Sequence, residues 1–95
     1  MMRGEIWMID LGLAAKPRPA VILSVPFYDD EKAVVTYVAR TTQQRGGRFE
    51  IEHRASQFLP GVFDVQNLGT VPTVKLMRRL GRLPAKEFAE VEDAV

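Results

Sequence analysis

Short β-rich segments separated by turn residues recur along most of this 95-residue chain, and they limit its possible folds more than any other feature. The apolar run at 20–25 has the length of a buried central strand and is closed by Pro26. At 48–53 apolar and polar residues alternate with period two, so one face of that strand is expected in a core and the other in solvent. Strands are predicted at 5–10, 20–25, 33–39, 48–53, 62–68 and 80–83. Six short strands of this kind favour a small closed or half-closed barrel.

The segments between and after these strands complete a mainly β fold with a C-terminal helix. Residues 84–95 place Phe88, Val91 and Val95 in an apolar stripe at helical spacing, and Pro84 suits the first helical position. Residues 40–44 are expected to leave the third strand, and residues 73–79 to form a helical turn or a connector.

Composition restricts the class of protein further. At 95 residues, 46% of them hydrophobic, the chain is expected to form one domain over 1–95 with a modest core. The absence of cysteine excludes disulfides and thiolate metal sites, and one histidine with scattered carboxylates shows no ligand spacing, so no metal or other cofactor is expected. No apolar stretch has the length of a membrane span, and the first residues lack the apolar run of a signal peptide. We therefore expect a soluble, cytoplasmic protein that does not bind a membrane.

The charges are distributed unevenly although the net charge is only +1. Residues 1–82 carry twelve positive and eight negative side chains, whereas residues 83–95 carry one positive and four negative. Two basic clusters stand out, one at 40–54 and the other at 75–82. These clusters could line a groove for a polyanion, or they could be ordinary solvated surface.

One arginine is presented in an unusual way, because Arg18 lies between Pro17 and Pro19 at the start of the central strand. Each proline fixes its own φ and favours extended geometry in the residue before it, so Arg18 is expected to be extended and stiff. A guanidinium offers a planar set of donors that remains charged, and a fixed backbone reduces the entropy lost on binding a phosphate. The simpler interpretation is a solvated charge at the beginning of a strand.

Several motifs in order along the chain resemble the MazF/PemK family of toxins. They are Arg3–Trp7 (RGEIW), Arg18–Ser24 (RPAVILS), Thr41–Gln43 (TTQ), Phe49–Glu52 (FEIE) and Leu80–Leu83 (LGRL) before an acidic helix. The resemblance covers nearly the whole chain. It implies an SH3-like barrel of the type shared with the gyrase poison CcdB, usually a homodimer, together with a cognate antitoxin whose acidic segment occupies the RNA groove.

The same resemblance implies the toxin of a type II toxin–antitoxin system, a metal-independent, sequence-specific endoribonuclease acting on single-stranded RNA. The family's catalytic arginine falls on Arg18 and its catalytic threonine on Thr41. Cleavage by attack of the 2′-hydroxyl on the adjacent phosphorus would leave a 2′,3′-cyclic phosphate and a 5′-hydroxyl. RNA-binding residues are predicted in the flanking segments, where amides can contact bases and arginines can contact phosphates or stack. These residues are Thr42, Gln43, Gln44, Arg45, Arg48, Gln66 and Asn67.

The general base is not identified by the sequence. Many family members carry a glutamate in the loop before the arginine, but residues 12–17 contain no carboxylate. His53 titrates in a suitable range, yet its place near the end of the fourth strand, on the apolar face, favours a structural or surface role. Two alternatives therefore stay open: a non-catalytic binder on the same barrel, either gyrase-directed or degenerate, and a general nucleic-acid-binding module.

Overall fold

The computed structural model describes residues 3–11, 16–24, 33–42, 46–47, 49–53, 58 and 60–95. These residues form six strands, one 3₁₀ turn and one helix. The strands are β1 (Glu5–Ile9), β2 (Arg18–Ile22), β3 (Val34–Thr41), β4 (Glu50–His53), β5 (Gly61–Pro72) and β6 (Leu76–Arg82). The 3₁₀ turn is Thr73–Lys75, and the helix α1 is Ala85–Ala94. The described part of the chain contains no helix of the length and apolarity needed to cross a bilayer.

All six strands belong to one sheet in the order β4-β5-β3-β2-β1-β6, and every neighbouring pair is antiparallel. Within the described residues the two outer strands, β4 and β6, do not pair with each other, so hydrogen bonds do not close the barrel. The expectation of a mainly β fold with a C-terminal helix and a barrel-like architecture is confirmed, in its half-closed form.

Apolar side chains cover both faces of the central strands, which explains why the sequence of β2 is a continuous apolar run rather than an alternating one. On one face, Val21 and Val38 join a core that α1 completes through Val91. On the other face, Ile22 and Tyr37 belong to a second buried cluster. The strands that carry the site described below are thus fixed by packing on both sides.

The strand predicted at 20–25 is β2, which begins at Arg18 and ends at Ile22. Three other segments differ from the sequence-based expectation, each because of pairing with a distant strand. β3 continues through Thr41 instead of ending before residue 40, because Arg40 and Thr41 pair with Phe63 and Val62 of β5. β5 continues to Pro72, since its second half pairs with the first half of β3. Residues 76–79 belong to β6 rather than to a helical turn or connector, because they pair with β1.

Strand β5 lies between β3 and β4, and its first residue, Gly61, opens a path between them. His53 at the end of β4 pairs with Gly61, and on the other side of β5 Thr41 pairs with Val62. A Cβ atom at position 61 would lie 2.6 Å from the carbonyl oxygen of Thr41 and 2.9 Å from NH1 of Arg40. Only glycine therefore allows the Arg40 side chain to pass over β5 toward β4.

Candidate active site

An open cavity of about 290 Å³ lies where β2 begins and β3 ends. Because these strands are antiparallel neighbours, with Ala20 opposite Ala39, the first residues of β2 lie beside the last residues of β3. The described lining residues are Lys16, Pro17, Arg18, Pro19, Arg40, Thr42 and Phe58. The cavity thus combines three cationic side chains, one hydroxyl and one aromatic ring.

Arg18 occupies the position that the sequence predicts. It is the first residue of β2, its backbone pairs with Ile9 of β1, and its side chain is exposed in the cavity. None of the described carboxylates forms an ion pair with Arg18. Its charge is available to an anionic ligand.

The two threonines at the end of β3 occupy different positions. Thr42 is exposed and lines the cavity, whereas Thr41 is half-buried, pairs with Val62, and is absent from the described lining. Thr41 is the last residue of β3 and is held in the sheet, whereas Thr42 follows the strand. Thr42 is therefore the threonine that shares the described cavity with Arg18.

Arg40 is a second arginine in this cavity, and it is almost completely buried, with 4% of its surface exposed. Its Nε donates a hydrogen bond of 2.8 Å to Nδ1 of His53, and its NH2 donates one of 2.9 Å to the backbone oxygen of His53. The guanidinium carbon lies 4.8 Å from the centroid of the Phe58 ring, a cation–π distance. Strands β3 and β4 are thereby joined across β5.

His53 is the acceptor in this arrangement, so its Nδ1 carries no proton and the imidazole is neutral. It is 4% exposed and packs against the rings of Phe58 and Phe63 at centroid distances of 5.4 and 5.0 Å. Burial first, and the positive charge of Arg40 second, lower the pKa of His53 from its ordinary value. Burial also lowers the pKa of Arg40. Because Nδ1 is engaged by Arg40 and His53 does not line the described cavity, the structure gives the imidazole no direct access to a ligand there.

A second open cavity, of about 480 Å³, adjoins the first and shares Pro19 and Phe58 with it. It is lined by Met8, Pro19, Phe58, Arg78, Arg79 and Leu80. Nε of Arg79 donates a 2.6 Å hydrogen bond to Oε2 of Glu5, a carboxylate that is itself mostly buried. The two cavities form one extended surface that carries arginines at both ends.

The sequence matches one protein family over nearly its whole length. A family described as PemK-like, MazF-like toxin of type II toxin-antitoxin system matches residues 2–95. The chain belongs to this family. No match was found among curated protein sequences.

Solved structures similar to this PemK/MazF family member have the same fold. A crystal structure of an Mtb toxin is 30% identical, with a TM-score of 0.74, and the match covers 94% of this chain and 93% of that one. The Mycobacterium tuberculosis toxin MazF-mt6 is 26% identical, with a TM-score of 0.78 and coverages of 95% and 90%. An endoribonuclease in complex with its cognate antitoxin, from a mycobacterial species, has a TM-score of 0.83 at 23% identity and coverages of 99% and 89%, a likeness of fold.

The other RNA-binding residues predicted from the PemK/MazF resemblance fall into two groups. Gln43, Gln44, Arg45 and Arg48 lie outside the described residues. Gln66 and Asn67 are exposed on β5, where four residues (64–67) lie opposite the single residue Ala39 of β3, and neither lines the described cavities. The structure therefore brings Arg18 and Thr42 together and leaves Gln66 and Asn67 on a separate surface.

Sequence reasoning included Arg40 only as a member of the basic cluster at 40–54 that could line a polyanion groove, and it did not assign Lys16 or Phe58 to the site of this PemK/MazF protein. A sharper signal for Arg40 was available, because this charged residue directly follows a mostly apolar stretch and directly precedes Thr41. No comparable sequence signal points to Phe58. Among the described residues, no group of three or more histidine or carboxylate side chains is arranged to hold a metal ion.

Proposed function

We propose that this PemK/MazF family member is the toxin of a type II toxin–antitoxin system and cleaves single-stranded RNA at specific sequences without a metal ion. The observation that carries the proposal is the cavity at the junction of β2 and β3, which Arg18 and Thr42 both line. Arg18 forms no ion pair with a described carboxylate. Solved structures with a similar fold include an endoribonuclease in complex with its cognate antitoxin. The reaction is expected in the cytoplasm, where messenger RNA is accessible.

The proposed chemistry is transesterification within the RNA. The 2′-oxygen loses its proton and forms a bond to the adjacent phosphorus, the bond from phosphorus to the 5′-oxygen breaks, and that oxygen takes up a proton. The products are a 2′,3′-cyclic phosphate and a 5′-hydroxyl. Arg18 supplies a fixed positive charge where negative charge builds on the phosphoryl oxygens, and a threonine hydroxyl donates a hydrogen bond to one of them.

One observation favours the competing proposal of a non-catalytic RNA binder on the same surface. The described lining of the Arg18 cavity contains neither a carboxylate nor an imidazole that could accept the proton of the 2′-hydroxyl. Arginine is almost always protonated and is poorly suited to this role. Cleavage is therefore the property that separates the two proposals.

The test is incubation of the purified protein with a long single-stranded RNA in EDTA, followed by mapping of the product ends. We expect discrete cuts with 2′,3′-cyclic phosphate ends, slowed about 100-fold or more in Arg18→Ala because a charge-stabilising donor is lost. Lys86→Ala, on the exposed first turn of α1, is the control and should cleave normally. RNA that the folded wild-type protein binds but does not cut would establish the non-catalytic binder instead.

The same assay distinguishes the two threonines. Thr41 is the proposed catalytic residue on the resemblance to the family, whereas Thr42 is the one that lines the described cavity. Replacing each by valine removes a hydroxyl and preserves the branched shape of the side chain. The variant with the larger loss of cleavage identifies the hydroxyl that contacts the phosphate.

Two protein partners belong to the proposal, a second copy of the chain and a cognate antitoxin with an acidic segment. Two apolar side chains are exposed close to each other in the chain, Val74 (84%) in the 3₁₀ turn and Met77 (56%) at the start of the edge strand β6, and they support an interface there. The paired arginine-lined cavities suit an acidic peptide. Light scattering at micromolar concentration should give the dimer mass, and a mass of one chain would contradict the homodimer.

A further inference from the structure

The open cavity of about 480 Å³, here named the Arg78 cavity, differs in character from the Arg18 cavity beside it. Four of its six described lining residues are apolar and the other two are arginines: Met8, Pro19, Phe58, Leu80, Arg78 and Arg79. The described lining contains neither a carboxylate nor a hydroxyl group. A wall of this kind suits a flat, mainly apolar group with polar edges better than it suits a phosphate.

Part of this wall is a row of side chains that crosses three adjacent strands. Pro19 of β2 lies opposite Met8 of β1, and Met8 lies opposite Arg78 of β6. Residues directly opposite each other in antiparallel strands share one face of the sheet. Two strand spacings, about 10 Å in all, therefore separate Arg78 from Pro19, which also lines the Arg18 cavity. The row connects the proposed phosphate site to β6 over a distance that a single nucleotide covers.

Phe58 borders both cavities, and its ring is held by two neighbours. The guanidinium carbon of Arg40 lies 4.8 Å from the centroid of this ring, and the imidazole of His53 packs against it at 5.4 Å with an interplanar angle of 59°. Arg40 lines the Arg18 cavity but is absent from the described lining of the Arg78 cavity. The ring is therefore fixed before a ligand binds, so little entropy is lost when a second planar group stacks on it.

The two arginines of the Arg78 cavity differ in their partners. Nε of Arg79 donates a 2.6 Å hydrogen bond to Oε2 of Glu5, whose Oε1 accepts a 3.2 Å hydrogen bond from Nε1 of Trp7. The charge of Arg79 is thus paired. Arg78 is exposed and forms no ion pair with any described carboxylate. Its planar guanidinium can lie against a base or donate hydrogen bonds to the edge of one.

We propose that the Arg78 cavity binds one unpaired base of the RNA, which stacks on the Phe58 ring and is contacted by Arg78 from β6. The inference rests on the proposed function, because this base belongs to the nucleotide next to the phosphate at Arg18. The apolar wall and the paired charge of Arg79 favour a base over a second phosphate. Only an unpaired base is free to leave its neighbours and enter such a cavity.

The first experiment separates contacts to bases from contacts to phosphates. One probe is a short single-stranded RNA of random sequence with a 2′-O-methyl group on every ribose, which lacks the nucleophile and cannot be cleaved. The other probe is the abasic form of the same strand, which keeps every phosphate. Phe58→Leu and Arg78→Met should each weaken binding of the first probe about fivefold or more, because stacking is lost, and leave binding of the abasic probe unchanged.

The salt dependence of binding gives the sharper criterion. In Arg78→Met the slope of log K against log salt concentration should equal that of the wild type, since no phosphate contact is lost. Lys86→Met, which removes a positive charge from the first turn of α1, is the matched control and should bind both probes like the wild type. An equal loss on the two probes, or a slope reduced by about 0.7 in Arg78→Met, would mean that the cavity holds a phosphate and would overturn the proposal.

A second measurement uses the wild-type protein and does not depend on the folding of a variant. In protein labelled with ¹³C at the methionine methyl groups, a base in the Arg78 cavity should shift the Met8 resonance, because an aromatic ring displaces the resonances of nearby protons. Met77 is the internal control, since it is exposed on β6 and absent from the described lining of both cavities. If Met8 responds to neither probe, or equally to both, no base enters the cavity.

An acidic peptide is the competing occupant of this surface, and poly-glutamate is the probe for it. An acidic peptide would bind through charge alone and would not require the Phe58 ring. If poly-glutamate shifts the Met8 resonance and the base-bearing RNA does not, the Arg78 cavity belongs to a protein partner and the proposed base site is wrong.

Failure of this inference is distinguishable from failure of the proposed ribonuclease, because neither RNA probe can be cut. A wild-type protein that shows the base-dependent shift of Met8 but cleaves no natural RNA retains the base site and loses the nuclease. Conversely, cleavage that depends on Arg18, without that shift, retains the nuclease and removes the base site.

Discussion

Two cavities of similar size in this protein each contain an arginine and a threonine, but only one is suited to bind phosphate. The first, of about 290 Å³, contains Arg18, Arg40 and Thr42. The other, of about 340 Å³, lies between the ends of α1 and β2 and contains Arg3 and Thr36, together with Leu23, Ser24, Glu92 and Val95. The residue types alone would assign both cavities to the same ligand.

The difference lies in what the arginines contact. Arg3 forms an ion pair with Glu92, donates a second hydrogen bond to the backbone oxygen of Leu23, and lies over the Phe88 ring. In the first cavity, by contrast, none of the carboxylates in the described ranges is paired with Arg18. A basic residue therefore indicates an anion site only when the fold leaves its charge uncompensated.

The largest effect on this comparison is expected from Gly61→Ala. The new methyl group would lie 2.6 Å from the carbonyl oxygen of Thr41 and 2.9 Å from NH1 of Arg40, so the end of β3 and the arginine must both move. We expect a loss of about 1–3 kcal/mol in the free energy of unfolding, as for other overpacked positions. Urea unfolding measures this loss.

Gly47→Ala is the matched control, because a Cβ atom there has nothing within 4 Å. Its free energy of unfolding should stay within about 0.5 kcal/mol of the wild type. If Gly61→Ala were equally harmless, the Arg40 side chain would not depend on the absence of a side chain at position 61.

The sequence predicted the parts of this fold that are encoded locally. The predicted alternation is visible in β4 at 50–53, and the prolines around Arg18 mark the beginning of β2, whereas the apolar run at 20–25 misplaces the end of that strand, which is Ile22. The ends of β3 and β5 were missed because these strands extend through pairing with each other, which no short window of sequence contains. The start of β6 was missed for the same reason, since residues 76–79 are held by β1.

The site shows the same division between local and distant information. Arg18 could be placed from its neighbours in the chain, and Thr41 and Thr42 from the order of motifs. The buried position of Arg40 could not be derived, because it depends on His53 two strands away and on the missing side chain of Gly61 between them. The apolar periodicity placed His53 on a buried face, but periodicity does not show which residue donates a hydrogen bond to its Nδ1.

An intermediate effect is expected in the pH dependence of the free energy of unfolding, and it comes from the titration of His53. Its pKa in the folded protein is lowered, by burial first and by Arg40 second, below the value of about 6.5 for the unfolded chain. Between these two values the unfolded chain binds the extra proton and the folded protein does not, so stability rises with pH. The contribution is complete above about pH 6.5, decreases as the pH falls toward the folded pKa, and changes no further below it.

Urea unfolding of the wild type and of His53→Asn across this pH range isolates the effect. Asparagine does not titrate, so the difference in unfolding free energy between the two proteins should change with pH in the direction given and level off on either side. A difference that is constant with pH would mean that protonation of His53 costs the folded state nothing, which contradicts the close contact of the imidazole with a cation.

The smallest effect is expected from Glu92→Gln, which makes the Arg3 cavity resemble the Arg18 cavity. The ion pair with Arg3 is substantially exposed, with side-chain accessibilities of 43% for Arg3 and 39% for Glu92, so its loss should change the free energy of unfolding by less than about 1 kcal/mol. The charge of Arg3 would then be uncompensated. The slope of log K against log salt concentration should therefore steepen by about 0.7 for binding of single-stranded RNA that carries a 2′-O-methyl group on every ribose and cannot be cleaved. Glu90→Gln, an exposed position on the same helix, removes the same charge without releasing an arginine and should leave the slope unchanged. If Glu92→Gln also leaves the slope unchanged, the ion pair is not what prevents RNA from binding in the Arg3 cavity, and the shape of that cavity must be the cause.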